Sequence, residues 1–172
     1  MKLLRKLRKI SDEIKQIKYD NHDTRLLIGS LLAKSVRTAN SIKEAEFKVF
    51  SQFGDDGIIQ FLINQLDIVN RTFVEFGVET YEESNTRFLL LNDNWRGLVI
   101  DGSKSNIDYI KSDPIYWRHE LTAVESFITT KNIDQLLCEY GYKGKIGLLS
   151  IDIDGNDYWV WQAITAVDAD IV

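Results

Sequence analysis

The chain has 172 residues, 44% of them hydrophobic and 27% charged, with 8 Phe, 7 Tyr and 4 Trp. That apolar content excludes a mainly disordered chain, and the length suffices for one domain with an appendage without metal or disulfide support. The formal charge of −5 argues against a nucleic-acid partner, and the single cysteine, Cys138, leaves no internal disulfide and points to a reducing, cytoplasmic setting.

Residues 1–18 carry seven basic residues (Lys2, Arg5, Lys6, Arg8, Lys9, Lys15 and Lys18) against Asp12 and Glu13. The segment is therefore +5 and the rest of the chain −10. No apolar run approaches the ~20 residues of a membrane span, and no signal peptide follows the basic start. Leu3, Leu7, Ile10, Ile14 and Ile17 recur at helical spacing and form one apolar stripe. Such a stripe packs on the domain or on a second copy, so a homo-oligomer through this helix is expected. Peripheral contact with an anionic membrane is the less favoured expectation. A second helix is expected over Thr24–Val36, then a connector over 37–48. This divides the chain into an N-terminal helical extension, 1–48, and a domain, 49–172.

From residue 49 short apolar runs alternate with helical patterns. Gln52, Asp55 and Asp56 lie in a turn before a helix at 57–66, with one aspartate expected as its cap. Strands are expected at Thr72–Phe76, Gly97–Ile100, Tyr116–Ala123 and Ile146–Ile151, and a further one begins at Asp170. Helices are expected at Asn85–Asn92 with Ser84 as cap, Asn106–Lys111 with Ser103 or Ser105 as cap, Ile133–Tyr140 and Tyr158–Ile164. Strands alternating with helices specify an α/β domain with a Rossmann-like parallel sheet. The chain stops inside an apparent strand, so the natural protein is expected to run on into further strands. Trp159 and Trp161 are expected to pack beneath the sheet, or one of them to wall a cleft; Trp95 and Trp117 read as packing residues.

Open parallel sheets bind ligands beyond the carboxyl ends of their strands. Three strands here end in an acid, which places Glu75, Asp101 and Asp152 along one edge. Gly77 is expected to let a ligand approach the backbone, and Asp101, with Gly102 and Ser103 beside it, to accept a ribose. Glu75 is expected to hold a cationic amino group, and Gln52 to sit in a turn closing over the cofactor. A diphosphate needs a glycine-rich loop at a helix start, whereas here Glu79, Glu82 and Glu83 would repel it. A ligand with a ribose and a positive centre suits the edge better, which favours S-adenosyl-L-methionine over NAD.

The segments FVEFGVETYEESNTRFLL, GLVIDGS and KNIDQLLCEYGYKGKIGLLSIDIDGNDYWVWQAI, preceded by SQFGDDGIIQFL, resemble class I SAM-dependent methyltransferases, and more closely the FkbM-type group. The resemblance covers about residues 49–172. It implies a Rossmann-like methyltransferase fold lacking its C-terminal strands, and O-methylation of a sugar hydroxyl in a glycan or related metabolite. Glu75 and Gly77 match the first SAM motif, Asp101 the ribose-binding acid, and Asp152, Asp154 and Gly155 the I-D-x-E-G motif. This chain departs from the family in having one glycine in the first loop and Asp154 where Glu is usual.

Methyl transfer to a hydroxyl calls for alignment and a base. Asp154 and Asp152 are the candidate bases and His119 the second choice. A divalent cation on Asp152, Asp154 and Asp157 is the less favoured expectation. Asp152-Ile153-Asp154 also fits the D-x-D pattern of metal-dependent glycosyltransferases using a nucleotide sugar, which is the runner-up. A non-catalytic Rossmann-like interaction module is the third reading.

Overall fold

The computed structural model describes residues 2–172, with side chains from Leu4 onward, so Leu3 of the apolar stripe lies outside the described side chains. The chain opens with α1 (Lys2–Val36), one helix of 35 residues where two were expected. The polar stretch between the expected helices is held in helical form by its own side chains. Gln16 donates to Asp20 at 2.8 Å, and Thr24 Oγ1 donates to the Asp20 carbonyl at 2.7 Å. The connector contains a short helix, α2 (Ile42–Ala45), capped by Ser41. Next comes α3 (Asp55–Gln65).

The alternating part then runs β1 (Thr72–Phe76), α4 (Arg87–Asp93), β2 (Arg96–Asp101), α5 (Lys104–Ser112), α6 (Ile115–Arg118) and β3 (Leu121–Glu125). It continues with α7 (Ile133–Glu139), β4 (Gly144–Ile151), α8 (Asp157–Ala163) and β5 (Val167–Ile171). The five strands form one parallel sheet in the order β3-β2-β1-β4-β5. This is the Rossmann strand order, with the direction of winding reversing between β1 and β4.

Every residue of β1 is buried. Alternation along the strand sends Phe73 to one face, with Leu89, Leu90, Trp95, Val99 and Ile107, and Val74 and Phe76 to the other, with Leu98, Ile100, Ile133 and Leu149. Each such side chain contributes about 1.5–3 kcal/mol by burial. A third cluster, Ala33, Val49, Phe50 and Phe88, joins the C-terminal half of α1 to the domain. A Cβ at Gly29 would lie 2.4 Å from Val49 Cγ2, so the helix approaches this closely only with glycine there.

Four local expectations are corrected. Tyr116–Ala123 is not one strand: Asp113 Oδ1 accepts from Ile115 N at 2.9 Å just after Pro114, which starts the helical turn α6, and β3 begins only at Leu121. Helix α4 starts later than residue 85 because residues 84–86 wrap around Glu75. Neither Asp55 nor Asp56 caps α3. Gly54 occupies that position, and Asp56 reaches back to the preceding turn, accepting from the N–H groups of Val49, Phe50 and Ser51 at 2.7–2.8 Å. Trp159 and Trp161 do not pack under the sheet; both are exposed, and Val160 is the buried residue of α8. Ser103 does cap α5, and Trp95 is a core residue. No helix among the described residues is long and apolar enough to cross a membrane.

Candidate functional site

The carboxyl ends of β1, β2 and β4 meet at the reversal of strand order. Phe76 is in register with Ile100 on one side and Ile151 on the other. Just beyond, Gly77 N donates to Ile100 O at 3.0 Å and Asp152 N donates to Phe76 O at 3.3 Å. Gly77 has φ +73°, and a Cβ on it would lie 1.6 Å from the Asp152 carbonyl oxygen. The space expected for a ligand at this Cβ position is taken by the neighbouring strand's backbone, while the outer side of Gly77 remains exposed.

Glu75 is 4% exposed and projects toward the α4 side of the sheet. Its Oε2 accepts from Ser84 Oγ at 2.7 Å, Thr86 Oγ1 at 2.5 Å and Thr86 N at 3.2 Å. Its Oε1 accepts from Asn85 N at 2.9 Å and Ser150 Oγ at 3.3 Å. A carboxylate offers about four lone-pair sites, so this one is saturated from within. Burial pushes its pKa up, opposed by the hydrogen bonds from Ser84, Thr86 and Asn85. Instead of reaching out to a cationic ligand group, Glu75 gathers the β1–α4 loop and occupies the N–H groups of Asn85 and Thr86 that lead into α4.

The rest of that loop is tightly fastened. Glu79 and Tyr81 have φ 46° and 63°, unusual for non-glycine residues and concentrated where backbone is over-determined by its surroundings. The Tyr81 hydroxyl lies 3.0 Å from Thr86 Oγ1, and burial raises its pKa well above the ordinary tyrosine value, with the Glu75 charge adding to the shift. Buried Arg87 donates to Tyr81 O at 2.9 Å and pairs with Asp113 at 3.2 Å. The turn containing Gln52 is tied to the same loop: Ser84 N donates to Phe50 O at 3.1 Å, and Lys48 lies 3.8 Å from Glu83. Gln52 itself is exposed, its carbonyl accepting from Lys48 Nζ at 2.6 Å.

Asp101 ends β2 and is 8% exposed. Its Oδ2 accepts from Glu79 N at 2.9 Å; its Oδ1 accepts from Ser103 N at 2.8 Å and Asn106 Nδ2 at 3.0 Å. One acceptor site is left, so a ribose meets Asp101 through a single hydroxyl unless Asn106 moves. Gly102 is exposed beside it, and an added Cβ would rest at 3.5 Å from the Phe127 ring. Phe127, 80% exposed beyond the end of β3, gives this part of the edge a bare aromatic face.

After β4 the chain turns through Asp154 and Gly155, both left-handed with φ 52° and 87°. Asp157 holds the turn, accepting from Ile153 N at 2.7 Å and Gly155 N at 3.3 Å. Asp152 and Asp154 are exposed at the edge. No three His, Cys, Asp or Glu side chains among the described residues converge on a metal position. No family model, curated protein or solved structure shows a match to the chain.

The structure thus brings Glu75, Gly77, Asp101, Gly102, Ser103, Asp152 and Asp154 to one edge, with Gln52 on the turn fastened to its rim. It does not bring His119 there. That residue follows α6 and precedes β3, at the opposite, amino edge of the sheet. Burial, then the charges of Arg118 and Arg87, hold its pKa below the usual histidine value. Sequence reasoning missed Asn85, Thr86, Ser150, Asn106 and Phe127. Only Asn106 carried a signal, as a side chain in the first turn of a helix that follows a strand-end acid. Two concavities lie elsewhere. One, about 240 Å³, is at the amino edge among Asn70, Arg96, Glu120 and Lys143; the other, about 460 Å³, lies between α1 and α3 among Arg37, Gln60, Arg71 and Asp93. Neither borders the strand-end acids.

Proposed function

We propose that this chain is a SAM-dependent O-methyltransferase, taking S-adenosyl-L-methionine across the carboxyl edge of β1 and β2 and methylating a sugar hydroxyl in a glycan or related metabolite. The observation that carries this reading is the saturation of Glu75. The N–H groups leading into α4, which a Rossmann-like fold would turn toward a dinucleotide's diphosphate, are taken by the chain's own carboxylate, since Glu75 accepts from Asn85 N and Thr86 N. Exposed Glu79, Asp152 and Asp154 make the same carboxyl edge negative, which suits a cationic sulfonium and repels a diphosphate. The donor set fits the cofactor on two further counts. Asp101 retains one acceptor site for a ribose hydroxyl, and Phe127 beside Gly102 offers a face on which an adenine stacks.

The bound cofactor supplies an electrophilic methyl on sulfur. The chain's task is to orient the acceptor and remove its proton as the new oxygen–carbon bond forms and the carbon–sulfur bond breaks. Asp154, held in a left-handed turn by Asp157, is the residue assigned to that proton. Exposed Tyr158 and Trp159 follow it on α8, their ring centroids 5.0 Å apart, and offer aromatic surface of the kind that packs on a sugar ring.

Isothermal titration of the full chain against SAM, S-adenosylhomocysteine, NAD and a UDP-sugar with Mn²⁺ tests the proposal. Binding of SAM or its demethylated product, with no NAD binding, is expected. UDP-sugar binding that requires Mn²⁺ would replace this reading with the glycosyltransferase one, and binding of none of the four would leave an interaction module.

A further inference from the structure

The first helix is much longer than its contact with the domain. Only His22, Leu26, Gly29, Ser30, Ala33 and Val36 are buried or half-buried along the part of α1 that meets the domain, and residues 4–21 are exposed without a break. At 1.5 Å per residue, ~27 Å of helix extends past the domain. That stretch is poorly equipped to stand alone. Its first turn holds no acid, and Arg5 and Lys6 sit near the positive end of the helix dipole. Leu7, Ile10, Ile14 and Ile17 lie bare on it, with Ile17 65% exposed, and Ile28 and Leu31 (66% exposed) continue the same line beside the domain.

That line is a heptad seam. With Leu7 at position a, the a positions are Leu7, Ile14, Asn21 and Ile28, and the d positions are Ile10, Ile17, Thr24 and Leu31. The domain docks on His22, Leu26, Gly29, Ala33 and Val36, which are b and f positions, so the seam faces directly away from it. A partner helix therefore meets no obstruction from the domain.

We infer that α1 pairs in parallel with α1 of a second copy of this chain, forming a two-stranded coiled coil that carries the two domains on its outer sides. Three features select this occupant. The positions flanking the seam match in parallel register: Glu13 faces Lys18 of the partner subunit, Asp20 faces Arg25 of the partner subunit, and Leu27 faces Leu32 of the partner subunit. A fully overlapped antiparallel pair instead sets Lys18 against Lys18 of the partner subunit and Asp20 against Asp20 of the partner subunit. Asn21 falls at an a position, where a parallel pair brings the two asparagine amides together and fixes both register and two-strandedness. Finally, Arg5, Arg8, Lys9 and Lys15 occupy f, b and c positions off the seam, and Lys6 at g faces uncharged Ser11 of the partner subunit, so the basic character of the segment does not oppose pairing along it.

The test uses the full chain. Sedimentation equilibrium is expected to show a dimer. Ile14→Glu, which lies beyond the domain contact, is expected to weaken it at least tenfold without changing the thermal transition of the domain. Glu13→Lys and Lys18→Glu are each expected to weaken self-association about tenfold, and an equimolar mixture of the two is expected to form the heterodimer, in which both ion pairs are restored. Leu7→Cys in a Cys138→Ser background is expected to cross-link to a dimer on oxidation, since only a parallel pair brings the two positions together. A chain that stays monomeric while floating with anionic vesicles would overturn the inference. So would charge variants that fail to recombine, or a Leu7→Cys chain that self-associates without cross-linking.

Discussion

Gly77→Ala separates two reasons for a glycine at the β1 tip. If the residue only clears room for a ligand, the ligand-free protein should tolerate a methyl group. The structure gives the opposite result, because the added Cβ lies 1.6 Å from the Asp152 carbonyl oxygen, a backbone atom of the adjacent strand end. Relief requires β1 and β4 to separate, which breaks the Asp152 N to Phe76 O hydrogen bond, worth about 1 kcal/mol. The left-handed φ of +73° adds about 1–2 kcal/mol for any residue with a Cβ. Local strain at the strand ends raises the total to about 3–4 kcal/mol. For a chain of this size that corresponds to a fall in Tm of roughly 10 °C. Two other glycines serve as controls. Gly155 is also left-handed, with φ +87°, but has nothing within 4 Å of the Cβ position, so Gly155→Ala should lose only about 1 kcal/mol. Gly102→Ala meets Phe127 at ordinary contact distance and should change stability by no more than ~0.5 kcal/mol. Urea denaturation of the three ligand-free variants measures the order directly. A Gly77→Ala protein no less stable than Gly155→Ala would refute the steric argument.

Glu75→Ala should destabilise the protein by about 3–5 kcal/mol, because it leaves Ser84, Asn85 N and both donors of Thr86 without their acceptor in a buried site; urea midpoints check this, and an unfolding curve like the parent's would show that the network is dispensable. Asp154→Asn should leave SAM affinity intact while lowering methylation of an identified acceptor by about 10²–10⁴-fold, and joint loss of binding and turnover would show a cofactor-binding role. The Asp134 carboxylate is raised by burial, but hydrogen bonds from Thr165 and Ala166 outweigh that and hold its pKa below the ordinary value. Its contribution is thus present above the unfolded value of about 3.9 and lost as pH falls through the lower folded value. Asp134→Asn should therefore be less stable than the parent at pH 7, with the difference shrinking below about pH 4, as read from urea titrations at the two ends.

Alternating apolar runs in the sequence were enough to place β1 at Thr72–Phe76 and to specify a parallel α/β sheet, because strands buried on both faces must be apolar along their length. The acids at the strand ends were legible for a related reason: a charge directly after an apolar run has to leave the core at the sheet's edge. Local chemistry also located the Ser103 cap and the helical character of α1. The sequence could not say what each acid does at that edge. Glu75 reads as the holder of a cationic ligand group, Asp56 as a helix cap and Asp157 as a metal ligand, yet folding turns all three onto backbone N–H groups, some of them 10 or 11 residues away. Strand order was equally out of reach. It alone determines that Gly77 meets Asp152, whereas His119 lies on the far edge because β3 begins only at Leu121, so the residue precedes its strand instead of lying within it. The apolar periodicity of α1 was written in the chain, but not which side of the helix the domain would cover. That was decided by the packing of Ala33 against Val49, Phe50 and Phe88, because a helix joined to a core along one face leaves the opposite face exposed.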